Sequence, residues 1–486
     1  MNTLQKPCNY YEKYMKYKKK YIDYKNNLLA LSEKKSALIG GGINAKIAFL
    51  DGIFIHVDYI DKSDKTTKVV KYKIIKKVGS GVSGTVYSLE QIEPHLPPGS
   101  NNSFVIKLTM LADDLVRAHN EQEGHSIDFL QVEERVKAIY QGRNGIIDFA
   151  IYKYLGENLE SFFIKSDITG EMLSSLIRQL HKQLHTLNSN DTFHNDVKMQ
   201  NIVVHEVSGN LELSLIDYGN LTRTYSQRGT THTMCIRGCA NFLLGSKPPL
   251  IEDLQKPVEE LLKKATSTDY VGFFNVIICM LNSTLCAWDI YCTILAIGTS
   301  YTTDNLLSIL CLLCYVSNSA ECDSFLGNPT CISIVEKIDR FLNIHTQNDD
   351  NRDMFRSFVP GGDMPVHTQR RILFLSYLYY IITNNPTSRY ATFVHITKLP
   401  KLLWDLSSCL DLQFNLKKFH TDFSTIFNDG LLAPLPPQTP PQPPLQHPLP
   451  TPPPTPLPSQ HPLPTPTPSP SSPIKDQNYL KKFFNY

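Results

Sequence analysis

Asp196, Lys198 and Asn201 stand at positions i, i+2 and i+5 of the run His194-Asn195-Asp196-Val197-Lys198-Met199-Gln200-Asn201, and Asp217 follows one apolar strand later in Asp217-Tyr218-Gly219. Two carboxylates, an amide and an ammonium are the groups that moving a phosphoryl group calls on. They supply a base for the attacking hydroxyl, oxygen ligands for a divalent cation, and positive charge against the oxygens being transferred. A lone acid at a strand end is usually a cap or a solvated turn, but here that reading would have to explain four coincident spacings.

Upstream, Gly79-Ser80-Gly81-Val82-Ser83-Gly84-Thr85-Val86 fits GxGxxGxV. Glycines suit such a loop because backbone amides must approach phosphate oxygens that a Cβ would obstruct. A dinucleotide-binding turn has the same glycine spacing but opens a helix, whereas Thr85-Val86-Tyr87-Ser88-Leu89 reads as a strand. Val78 and Val86 flank Gly79, Gly81 and Gly84 and complete a candidate nucleotide flap. Lys107 lies 23 residues after Gly84 on the apolar strand Phe104-Val105-Ile106-Lys107-Leu108. An ammonium there needs anionic company, for which nucleotide phosphates and a helix carboxylate are the natural candidates. Glu133 is chosen as that carboxylate because Val136 and Tyr140, at i+3 and i+7, would pack its helix and Ile146-Ile147 would begin the next strand. Glu134, Glu121 and Glu123 are the alternatives.

The elements that must position these groups change character along the chain. Ile53 to Tyr59 alternates like a strand, and Lys71 to Leu108 reads as strand, glycine loop, strand, a surface loop with Pro94, Pro97 and Pro98, and strand. After about Leu159 apolar residues fall at helical spacing in Met172 to Leu187, Tyr270 to Leu281, Leu306 to Val316 and Arg370 to Ile382. A small sheet followed by a helical mass predicts an α+β chain with two lobes.

Outside this region, Tyr10, Tyr14, Tyr17, Tyr21, Tyr24, Leu28 and Leu31 share one stripe of an amphipathic helix. Its stretch from Met1 to Lys35 carries nine lysines against three acids, a local bias that suits packing, partner docking or an acidic membrane surface. Gly40-Gly41-Gly42 breaks this helix as a hinge. Twenty of the 32 prolines lie between Pro434 and Pro473, an extended spacer reaching on the order of 100 Å. An aromatic, basic tail follows from Tyr479 to Tyr486. The net charge of +2 gives no reason to expect nucleic acid. The 11 cysteines, odd in number and without a framework spacing, argue for reduced thiols. Leu306 to Val316 and Val271 to Leu281 are too short to span a bilayer, so no transmembrane segment is expected. His232, Cys235 and Cys239 lack a fourth ligand nearby and read as loop residues, and Cys311 and Cys314 read as buried thiols.

Together the motifs resemble the eukaryotic-type serine/threonine protein kinase family, over about Val69 to Leu281. Tyr154-Leu155-Gly156-Glu157-Asn158-Leu159-Glu160-Ser161-Phe162 is similar to the hinge stretch of casein kinase one, and Asp-Tyr-Gly is similar to the vaccinia-related kinases. The resemblance implies a bilobal protein-kinase-like fold, with a small antiparallel β N-lobe and a larger helical C-lobe. It implies ATP and Mg²⁺ as cofactors and protein substrates. Asp196 would be the base, Lys198 would steady the γ-phosphate, and Asn201 and Asp217 would hold the metal. Lys107, paired with Glu133, would lie on the α/β-phosphates, and Tyr154 would lie at the nucleotide. The tyrosine-lysine helix with its glycine run resembles N-terminal extensions of proteins from amoeba-infecting giant DNA viruses, which implies the host cytoplasm and the virion as locations.

Departures accompany this resemblance. The family's loop arginine is Asn195, which predicts activity without activation-segment phosphorylation. No Ala-Pro-Glu follows Asp217; Arg237-Gly238-Cys239-Ala240-Asn241-Phe242 occupies that zone. Asp269 matches the family's buried aspartate beneath the catalytic loop, with an irregular spacing to Gly272. The expected organisation is 1–42 helix and hinge, 43–155 N-lobe with preceding strands, 156–432 helical C-lobe, 433–474 proline-rich linker and 475–486 tail. The helix and the proline arm are candidate docking segments. A pseudokinase scaffold is the alternative, with a small-molecule kinase as a third reading that Lys198 disfavours.

Overall fold

The computed structural model describes residues 44–50, 54–61, 63–81, 84–97, 102–110, 134–136, 138–144, 147–207, 209–222, 230, 234–245, 253–265, 269–282, 302–346, 349–385, 388–389 and 399–428. The tyrosine-lysine helix, the glycine hinge, the proline-rich segment and the tail lie outside these residues.

Seven strands form a closed barrel in the order β1-β2-β3-β4-β5-β7-β6. They are β1 (Asn44–Leu50), β2 (Phe54–Ile60), β3 (Thr67–Gly81), β4 (Gly84–Glu93), β5 (Ser103–Met110), β6 (Tyr140–Asn144) and β7 (Ile147–Lys153). Alternation explains the barrel's inside: Ile55 faces Tyr72, Val57 faces Val70, Leu89 faces Phe104 and Ile106 faces Ile151 in register, and all eight are buried. Tyr72 meets the Phe104 ring edge-on at 5.3 Å.

The bilobal protein-kinase-like fold expected from the sequence is overturned by this closure. An antiparallel hairpin of β1 and β2 extends the sheet until β1 meets β6 in parallel, at Asn44↔Gln141 and Ala45↔Gly142. Gly142 permits the seam, because a Cβ there would collide with the Ala45 carbonyl oxygen. The sequence signalled β2 by its alternation. Nothing in Asn44–Leu50 signalled that its partner would be the far edge of the sheet.

Twelve α-helices accompany the barrel among the described residues. They are α1 (Leu159–Lys165), α2 (Gly170–Asn188), α3 (Ile236–Gly245), α4 (Gln255–Lys264), α5 (Asp269–Leu281), α6 (Thr303–Val316), α7 (Ala320–Leu326), α8 (Pro329–His345), α9 (Asp349–Arg356), α10 (Val366–Asn384), α11 (Leu399–Ser407) and α12 (Leu416–Asn428). The four stretches read as helical from their periodicity are α2, α5, α6 and α10. Their buried faces join one large hydrophobic cluster distinct from the barrel core. Cys311 and Cys314 on α6 are buried within it. No described helix is long and apolar enough to cross a membrane.

A three-stranded sheet, β8 (Glu157–Asn158), β9 (Ile202–Val207) and β10 (Asn210–Leu215), lies on α2 in the order β10-β9-β8. Helix α2 starts at the cap Thr169, whose hydroxyl accepts the Met172 N–H. Leu173, Leu176, Ile177, Leu180, Leu184 and Leu187 bury its apolar stripe. Two glutamines of α2 complete the outer edge of β10. Gln179 donates to the Leu211 carbonyl and accepts the Leu213 N–H, and Gln183 does the same with the Leu213 carbonyl and the Leu215 N–H, over 2.6–2.9 Å. One helical turn advances about 5.4 Å and two strand residues about 6.8 Å, so amides four apart on a helix can serve alternate residues of a strand.

Candidate active site

The loop from His194 to Asn201 leaves α2 and enters β9, and a buried carboxylate sets its shape. Asp269, the first residue of α5, accepts the backbone N–H groups of His194 at 2.8 Å and Asn195 at 2.7 Å and the Asn188 side-chain amide at 3.0 Å. Three donors on one anion satisfy a charge that would otherwise be costly at 2% exposure. Gly272, one turn on, lets Val197 lie against α5, since a Cβ there would meet the Val197 backbone. The irregular spacing of Asp269 and Gly272 is thus a helical i, i+3 pair beneath the loop.

Asp196 is buried at the centre of this loop. Its Oδ2 accepts from Lys198 Nζ at 2.8 Å and Asn201 Nδ2 at 3.0 Å, and its Oδ1 accepts both the N–H and the hydroxyl of Thr230, at 2.9 and 2.7 Å. Burial alone would raise the Asp196 carboxyl pKa. The Lys198 charge, the bonds from Lys198 and Thr230, and His194 outweigh it and hold the group below the usual carboxylate value. Lys198 also donates to the Thr230 hydroxyl at 2.8 Å, so Thr230 ties acid and ammonium together. Asn201 gives its amide hydrogens to Asp196, including the backbone carbonyl at 2.8 Å, which leaves Oδ1 as its remaining ligand atom.

Strand register brings Asp217 to the same place. Ile202 pairs with Leu215, and the Ile216 N–H donates to the Asn201 carbonyl at 2.8 Å, so Asp217 emerges beside Asn201. His194 reaches the Ile216 carbonyl through Nε2 at 3.0 Å, and its ring meets Tyr218 edge-on. From the barrel, Lys107 extends to Asp217 Oδ1 at 2.6 Å. Burial works to raise the Asp217 pKa, but the Lys107 charge and hydrogen bond, helped by His194 and opposed by Asp196, hold it low. On β5, Ile106 points into the barrel, so Lys107 stands on the outer face, between Val86 of β4 and Ala150 of β7.

Gly79 pairs with Val86, and Gly81 with Gly84, at the turn end of the β3–β4 hairpin. The two loop glycines with the clearest geometry differ. A Cβ at Gly84, whose φ is +130°, would collide with the Leu108 carbonyl, whereas a Cβ at Gly79 would touch nothing within 4 Å. Val78 is exposed at 48%. Tyr154 is half-buried where the barrel passes into β8; its N–H donates to the Ser103 carbonyl, and burial raises its phenol pKa.

The structure therefore gathers Asp196, Lys198, Asn201, Asp217 and Lys107, with Gly79 and Val86 in the Lys107 row of the sheet. Glu133 and the alternatives Glu121 and Glu123 lie outside the described residues, and Lys107 pairs with Asp217. The helix expected to carry Val136 and Tyr140 is corrected: Glu134–Val136 is a single 3-10 turn and Tyr140 begins β6. The reason is that Val136 buries in the helical cluster while Tyr140 packs against the barrel core, so one helix face could not have served both. Among the described residues no cluster of His, Cys, Asp or Glu could hold a metal by itself; Cys235 and Cys239 are buried, and His232 lies outside. Reading the sequence missed Thr230, Asn188, Gln179 and Gln183. Polar side chains that grip distant backbone leave no periodicity, and only the i, i+4 glutamines on an apolar helix hinted at a task. No protein-family model matches the sequence.

Proposed function

We propose that this chain transfers the γ-phosphate of ATP to serine or threonine hydroxyls of proteins with Mg²⁺. The observation that most supports this reading is the meeting of Lys107 and Asp217 with Asp196, Lys198 and Asn201 across three separate stretches of sequence. Asp196, kept ionised and oriented by four donors, suits the proton-accepting role toward a hydroxyl. Lys198, bonded to it, places positive charge where the transferred oxygens would lie. Asn201 Oδ1 and the Asp217 carboxylate are hard oxygen donors on adjoining positions, a set that fits Mg²⁺. Lys107 suits the α/β-phosphates, and the space above Gly79 admits close backbone approach to phosphate. Bound Mg²⁺·ATP supplies the phosphoryl group and the Lewis acid that neutralises its charge.

The test is transfer from labelled ATP by the purified full chain to itself and to acidic and basic protein substrates. Transfer that requires Mg²⁺ and disappears in Asp196→Asn is the expected result. Absence of transfer with every acceptor, together with no Mg²⁺-dependent nucleotide binding, would leave a binding module as the better reading.

A further inference from the structure

Asp217 is gripped on both sides. Before it, Ile216 is bonded to Asn201 and His194. After it, Phe193 and Thr222 exchange both backbone bonds of an antiparallel bridge, at 2.8 and 3.1 Å. Between these anchors the Asp217 backbone is left-handed, φ 64° and ψ 60°, a conformation that aspartate, like asparagine, visits more readily than most residues.

The side chain that spans the second anchor is Asn195, which the reaction described above does not use. It is 9% exposed. Its Nδ2 donates to the carbonyls of Phe193 at 3.1 Å and Asn220 at 2.7 Å and to the Thr222 hydroxyl at 3.0 Å, so two amide hydrogens serve three acceptors. Its own N–H is fixed on Asp269. Asn195 is itself left-handed, at φ 64°, which asparagine tolerates better than most residues. One amide therefore joins the Asp196 loop to the turn Tyr218–Asn220 directly beyond Asp217.

We propose that Asn195 is a positioning residue that sets the direction in which Asp217 presents its carboxylate to a divalent cation. This rests on the phosphotransferase reading above. A neutral amide already bonded to three protein acceptors holds the segment with no added charge. Partners of this kind, one bond removed from a metal ligand, typically change metal affinity by about 10- to 100-fold when lost.

The experiment is a Mg²⁺ titration of ATP binding and of phosphoryl transfer in the full chain, for wild type, Asn195→Gly and Thr222→Val. Glycine takes φ 64° without steric cost, so Asn195→Gly removes the amide and little else. The expected result is about a tenfold rise in the half-saturating Mg²⁺ concentration, with metal-free ATP affinity and turnover at saturating Mg²⁺ near wild type. Thr222→Val should move the midpoint the same way by less. Lower melting temperature and uniformly reduced turnover at an unmoved Mg²⁺ midpoint would overturn the role of Asn195. If Asn195→Gly does not fold, Thr222→Val decides: a shifted midpoint supports the role and an unmoved one overturns it. A wild-type chain that transfers no phosphoryl group and binds ATP without regard to Mg²⁺ overturns the phosphotransferase reading itself, and the inference with it.

Discussion

The two sides of the candidate site are held by different physics. The loop side is fixed by buried side-chain bonds: Asp269 takes three donors, Asp196 takes four, and both are nearly inaccessible. The barrel side is fixed by strand register, with Lys107 at 23% side-chain exposure and the hairpin end open above Gly79. Buried charges joined to backbone make geometry and stability inseparable, whereas a residue placed by register can change without harm to the fold. The two loop carboxylates should thus be intolerant of substitution, and Lys107 on the barrel side should lose function selectively.

The largest expected effect is that of Asp196→Asn, about a thousandfold loss of transfer, measured as turnover at saturating ATP; turnover within tenfold of wild type would break the comparison at its centre. Next comes Asp269→Asn, which replaces an acceptor by a donor facing buried N–H groups. It should cost about 3 kcal/mol of stability in urea unfolding and most of the transfer activity. Lys107→Met should leave the urea midpoint nearly unchanged while weakening ATP binding about tenfold, because a partly exposed ion pair contributes little to folding.

The loop glycines sharpen the contrast within one hairpin. Gly84→Ala should destabilise by about 2 kcal/mol through its positive φ and the Leu108 carbonyl. Gly79→Ala should keep the melting temperature and lose nucleotide affinity alone; equal destabilisation by both would refute the distinction.

The smallest effect is one of pH. His185 and His420 stack at 3.6 Å, and His420 Nδ1 lies 3.3 Å from His181 Nε2, joining α12 to α2. His181, on which Tyr270 and Phe273 of α5 also pack, is pushed down to about 3 by burial and then by His420 and His185. His420 is lowered by burial and by His185. Above pH about 6.5 His181 and His420 are neutral folded or unfolded, so no stability is lost there. As pH falls below that value His181 and His420 bind protons in the unfolded chain that they refuse in the folded one, and stability declines. Asp196 and Asp217, whose folded values are depressed, add their loss only below the ordinary carboxylate value of 3.8. Acid titration of wild type against His181→Phe should show the first decline reduced in the variant.

Much of this was legible in residue order. The helices α2, α5, α6 and α10 follow from apolar spacing, and strands β2 to β5 from alternation and the glycine loop. Asp196, Lys198 and Asn201 are local in sequence, so their shared loop could be anticipated, whereas Asp269 was reached only through the resemblance to the kinase family's buried aspartate. Tyr140 shows where periodicity misleads: its i+7 spacing from Glu133 suited a helix, but burial in the barrel placed it on β6. The barrel itself depended on Asn44 and Ala45 reaching Gln141 and Gly142, nearly a hundred residues away, a pairing that no local pattern encodes.

Residue types and short-range spacing by themselves determined which groups are available for chemistry and which segments are helix or strand, because periodicity and backbone preference act within a few residues. Only the tertiary structure decided that the sheet closes, that Lys107 rests on Asp217, and that Thr230, Asn195 and Asn188 hold the loop. Each of those depends on meetings between distant segments, and what selects them is the joint satisfaction of buried polar groups and packed cores.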